Sequence, residues 1–100
     1  MAQIPKSKKE RAAAENRWKA SLYKQQRLAR QAHQCLELCR KYAQKVKNRN
    51  FLNAEERKML GLRGEYEEAF EDASRQVRIL KAMDKSQLYE KFGAHPEGRA

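Results

Sequence analysis

The chain has 100 residues, of which 40% are apolar and 36% charged, and its formal net charge is +10. That length admits one domain with a small core, and four Gly and two Pro leave little turn material among good helix formers. No apolar run approaches the roughly 20 residues of a membrane span, and "MAQIPKSKKE" lacks the apolar centre of a secretory signal, so the expected compartment is cytoplasmic, with mitochondrial as the alternative.

Pro5 and Ser7 mark the first helix start, and nothing breaks a helix from there to about Lys47. The pattern predicts a helix over 6–48. Trp18, Leu22, Gln25, Ala29, Ala32, Leu36, Cys39, Ala43 and Val46 follow one another in alternating steps of four and three, which is a heptad seam. Leu28, Cys35, Leu38 and Tyr42 lie beside it and widen the apolar face enough for more than one partner helix. Cys35 and Cys39, four apart on one helix, are poorly aimed for a disulfide. They read as small hydrophobes in a seam, the alternative being a thiolate site shared by two copies.

"NRNFLNAEE" interrupts the pattern, and Asn53 with Glu56 forms a capping box for a second helix over 54–83. Its seam is Met59, Leu62, Tyr66, Phe70, Ala73, Val77 and Leu80. Gly61 and Gly64 weaken it by about 1 kcal/mol each relative to Ala. They read as tolerated glycines near a helix end, with a break or a close approach to the first helix as alternatives. "DKSQLYEKFG" predicts a short helix over 86–92, capped by Asp84 or Ser86 and ended at Gly93, with Leu88, Tyr89 and Phe92 covering Trp18. Residues 94–100 carry no apolar anchor and read as a flexible tail.

The fold class is therefore all-α, a single helical domain over 1–93. Its expected form is an antiparallel hairpin of two long helices plus the short C-terminal one. A turn at 50–53 sets Ala43 against Leu62, Leu36 against Phe70, Ala29 against Val77 and Leu22 against Met83. Two helices alone bury little, so a four-helix bundle completed by dimerisation, or docking into a larger assembly, is expected.

The charge is unevenly placed. Residues 1–50 hold 14 Lys or Arg against three Glu, whereas residues 51–100 hold nine against ten Asp or Glu. At 100° per residue, the side of the first helix opposite its seam carries Lys19, Tyr23, Arg27, Arg30, Gln34, Lys41 and Lys45. A solvated helix face ordinarily mixes signs, as "RGEYEEAFEDASRQVR" does, but this one does not. Part of the excess answers the cluster Glu65, Glu67, Glu68, Glu71 and Asp72. The remainder suits a polyanion: cations neutralise phosphates and release counterions, while amides and a phenol reach sugar hydroxyls or base edges. The expected function is non-enzymatic binding of duplex or structured RNA by shape and phosphate contacts. The site is assigned to Lys19, Tyr23, Lys24, Arg27, Arg30, Gln34, Lys41 and Lys45. No catalytic constellation, metal site or cofactor is expected, since His33 and His95 lie far apart and no Gly-rich phosphate loop exists.

Three resemblances accompany this reading. "KKERAAAENRWKASLYK" resembles the DNA-contacting region of basic leucine-zipper proteins, with Asn16, Ala20 and Lys24 at the Asn, second Ala and Arg of that motif. Lys19 and Tyr23 replace its small residues, and no zipper follows. "SLYKQQRL" is similar to the signature of LYR-motif proteins, with Leu22, Tyr23 and Lys24 at the three named positions. That resemblance implies a small basic mitochondrial helical subunit, engaged in respiratory or iron–sulfur assembly and binding an acidic protein partner such as acyl carrier protein. In shape and charge, a long helix, an antiparallel second and a short third resemble the nodavirus silencing suppressors, which dimerise and lay a helical face along double-stranded RNA. Ribosomal helical hairpins fit the same outline.

Overall fold

A computed structural model describes residues 7–93 of the chain. The expected helix start at Lys6 and the tail over 94–100 lie outside the described residues. The described chain is all-helical, with α1 over Lys8–Lys47, α2 over Ala54–Gly61, α3 over Arg63–Ala82 and α4 over Lys85–Phe92. Each start except that of α3 has a side-chain cap. Ser7 Oγ accepts from the Glu10 N–H at 3.0 Å. Asn53 and Glu56 exchange both bonds of a capping box, as do Asp84 and Gln87. Such caps satisfy amide groups that a helix leaves unpaired in its first turn.

The expected second helix over 54–83 is two helices. Leu62 separates them, with φ −93° and ψ 8°, and its N–H bonds the Met59 carbonyl at 3.0 Å in the tighter i→i−3 manner. The following helix resumes at once, the Tyr66 N–H reaching the Leu62 carbonyl at 3.0 Å. Gly61 and Gly64 flank the break, and a Cβ built on either meets nothing within 4 Å. No close approach therefore requires these glycines. Gly61→Ala and Gly64→Ala are each expected to stabilise the protein by about 0.5–1 kcal/mol, measured as a raised urea midpoint at unchanged m-value.

The described chain falls into two compact units, residues 7–24 with 76–93, and residues 25–75. In the first, Ala14, Leu88 and Tyr89 form a buried cluster, with Trp18 and Phe92 packed against it. The expected cover for Trp18 is thus present. Trp18 Nε1 donates to the Leu80 carbonyl at 2.9 Å, which gives a half-buried indole its one polar partner. The Arg17 guanidinium donates to the Phe92 carbonyl at the C-terminal end of α4, through Nε at 2.8 Å and through Nη2. Helix ends leave their last carbonyls unpaired and partly negative, so a cation there is favourable.

Glu15 ties the other side of α4. It accepts from the Tyr89 hydroxyl at 3.0 Å and pairs with Lys85 Nζ at 3.2 Å. The Tyr89 bond and then the Lys85 bond hold its carboxyl below the ordinary value of 4.5. A carboxyl depressed in the folded state stabilises that state above the ordinary pKa, and the contribution is lost as pH falls through the lowered one. The melting temperature is expected to drop on acidification through and below pH 4.5, and Glu15→Gln to shrink that drop. Part will persist, because Glu56 is depressed as well, by the Asn53 N–H and then Lys45.

In the second unit the rings of His33 and Phe70 stand 5.9 Å apart at 42°. Phe70 therefore meets α1 almost one turn from Leu36, the partner that register counting proposes. Cys39 is fully buried, and its thiol donates to the Met59 carbonyl at 3.3 Å. Burial pushes that thiol's pKa up, which suits a small hydrophobe and not a reactive thiolate. Leu28, Ala32 and Cys35 of α1, with Tyr66, Ala69 and Ala73 of α3, line a shallow groove of about 390 Å³.

The connection after α1 is closed by its own backbone. The Arg49 N–H reaches the Val46 carbonyl at 3.0 Å, and the Asn50 N–H reaches the Lys45 carbonyl at 2.8 Å. Those two bonds make a Schellman ending, and Arg49 occupies the left-handed position with φ 61°, where glycine is usual.

Candidate nucleic-acid interface

Most cations of α1 sit where its periodicity puts them, exposed to water, whereas Arg11, Arg17 and Lys45 are half-buried. In the first unit Lys19, Tyr23 and Lys24 are exposed, Tyr23 to 62%. Leu22, between the phenol and the seam, is buried. Of the LYR-like tripeptide, then, one side chain packs inward and two are presented.

In the second unit Arg27, Arg30, Gln34 and Lys41 are exposed. Among the described residues none of these three cations pairs with a carboxylate. Lys45 differs. Its ammonium lies 2.9 Å from Glu56 Oε2, and both side chains are half-buried or less exposed. Of the eight residues assigned from the sequence, Lys45 is the one given to an internal ion pair, formed because the cap of α2 turns Glu56 toward the end of α1. The single acidic residue of 17–50, Glu37, stands exposed between His33 and Arg40 at 3.7 Å from each. Contacts that long and that wet take little charge away from their surroundings.

Lys19 and Lys41 contribute to the fields that depress Glu15 and Glu56, without reaching ion-pair distance of either. The acidic residues of α3 are answered locally where they are answered at all, as in the Asp72–Arg75 pair at 3.3 Å. Their expected role as a counterweight to α1 has no ion pair behind it among the described residues.

Two features of the surface were not assigned from the sequence. Lys47 and Arg49 extend the set of exposed cations into the connection after α1, and Phe51 beside them is 97% exposed. The tripeptide "NRN" before a lone aromatic was the available signal, but it reads first as turn chemistry. Among the described residues no three His, Cys, Asp or Glu side chains gather as a metal site, Cys35 and Cys39 are both free thiols, and no helix is long and apolar enough to cross a membrane.

What this arrangement offers chemically is fixed positive charge with amide and phenol groups interspersed, on a helical support. No known protein family, characterised protein or solved structure matches the chain.

Proposed function

We propose that the protein is a non-enzymatic RNA-binding protein that reads the shape and phosphates of duplex or structured RNA. The observation that carries the reading is the set Arg27, Arg30 and Lys41, exposed and without a carboxylate partner among the described residues. Cations left unpaired beside a balanced helix act on partners and not on the fold. Gln34 supplies an amide between them, and Lys19, Tyr23 and Lys24 offer the same chemistry in the first unit. Lys45 contributes less than its neighbours, being held by Glu56.

The support for this surface is an antiparallel helical hairpin. Within the second unit, His33 standing near Phe70 and Cys39 bonding Met59 favour that course, since rising numbers on α1 meet falling numbers on α3 and α2. A four-helix bundle made by a second copy completes it. Leu28, Leu38 and Val46 remain exposed on α1 of the second unit, Leu28 to 41% and Val46 to 52%, and apolar side chains in that number favour a covering partner.

A gel shift across a salt series, with duplex RNA, duplex DNA and single strands, tests the function. Salt-sensitive binding of duplex RNA is the expected result. No shift with any nucleic acid, together with capture of acyl carrier protein, returns Tyr23 and Lys24 to the LYR-like reading and an acidic protein partner.

A further inference from the structure

We propose that the connection between α1 and α2 is a second contact element for RNA, in which Phe51 stacks on an unpaired base while Lys47 and Arg49 meet the flanking phosphates. This rests on the RNA-binding reading and adds to it a preference for duplexes that end in, or are interrupted by, unpaired nucleotides.

Three observations converge on this turn. Phe51 is 97% exposed, so the ring contributes almost nothing to the core of its unit. Arg49 takes φ 61°, a conformation in which glycine is at ease and an L side chain is strained. A turn that needed only to reverse the chain would favour glycine there, and the cation it carries instead is exposed. Lastly, the support is firm on both sides. The Asn50 N–H is tied to Lys45, the Arg57 guanidinium donates to the Leu52 carbonyl at 2.6 Å, and Asn53 and Glu56 close the cap. Phe51 is thus displayed on a hydrogen-bonded turn, with little ordering left to do when a ligand arrives.

The company it keeps indicates the ligand. Exposed Lys47 and Arg49 suit phosphates, and Asn48 and Asn50 are amides able to meet base edges. Every base has a π-face, so one aromatic ring suffices for stacking. A tip that enters a bilayer needs several apolar side chains together, and a single ring among amides and cations is poorly suited to that.

Fluorescence anisotropy of the full chain at one salt concentration tests the proposal, using a continuous RNA duplex and the same duplex closed by an unpaired loop. Phe51→Ala is expected to lose about tenfold in affinity for the looped RNA and under about twofold for the continuous duplex. Phe51→Trp is expected to keep the wild-type affinity, with its added fluorescence quenched by the looped RNA alone. Circular dichroism should not distinguish Phe51→Ala from wild type, because the lost ring is exposed. Unchanged affinity of Phe51→Ala for the looped RNA, or equal losses on both RNAs, overturns the proposal. If Arg27→Gln with Arg30→Gln weakens binding of both RNAs while Phe51→Ala weakens neither, the turn is excluded and the α1 reading stands. A wild type that binds neither RNA removes both. Phe51-dependent binding to phosphatidylserine vesicles, with RNA binding untouched, reassigns the turn to a membrane and also overturns it.

Discussion

Replacing Arg27 and Arg30 together with Gln is expected to weaken binding of duplex RNA on the order of tenfold at low salt, and to lower the slope of log affinity against log salt by about two. Both side chains are exposed and lack a carboxylate partner among the described residues, so the fold loses no ion pair when they are removed. The loss should be similar for every duplex sequence, because phosphates carry no sequence information. Lys45→Gln is the internal contrast. Its ammonium sits on Glu56, so its removal should cost some stability and leave the salt slope nearly unchanged. A double variant with wild-type affinity and slope would exclude this stretch of α1 as the binding surface.

Leu80→Ala is expected to cost about 2–4 kcal/mol in urea denaturation, a large share of the roughly 5–15 kcal/mol that holds a small domain together. Leu80 is 2% exposed, among the largest side chains so fully buried, and its carbonyl receives the Trp18 indole N–H. The cavity would open in the unit where Ala14, Leu88 and Tyr89 form the core. Leu28→Ala provides the comparison. With its side chain 41% exposed it should cost well under half as much in a monomer. A cost approaching that of Leu80→Ala, growing with protein concentration, would mean that a second copy covers the strip containing Leu28, as the bundle proposal requires.

Much of the local structure was legible because its causes are local. Ser7 and Asn53 cap the helices expected of them, and of the two candidates for the last helix Asp84 and not Ser86 is the cap, since each cap needs only an acceptor and an amide three residues on. The cover of Trp18 by Leu88, Tyr89 and Phe92 is the long-range exception, expected from their apolar spacing together with a chain reversal at 50–53. The break at Leu62 was harder. Gly61 and Gly64 lower helix propensity on either side of it, but propensity alone does not say whether a helix bends, continues or stops. A Cβ at either glycine would meet open space, so the break rests on no contact made at those two positions.

Among the cations the division is similar. Residue spacing along a helix told which side chains point away from the apolar seam, and Lys19, Tyr23, Lys24, Arg27, Arg30, Gln34 and Lys41 are exposed. Spacing could not tell that Lys45 would meet Glu56, that Arg17 would bond the Phe92 carbonyl, or that Phe51 would stand uncovered. Helix identity, caps and outward direction follow from contacts within about one turn of the chain, which residue order alone specifies. Which charges are neutralised and which rings are left bare depends on groups on different elements, 11 residues apart for Lys45 and Glu56 and 75 for Arg17 and Phe92, meeting at a distance of a few ångströms. An error of one turn in register changes every such pairing, so only the assembled tertiary structure decides it.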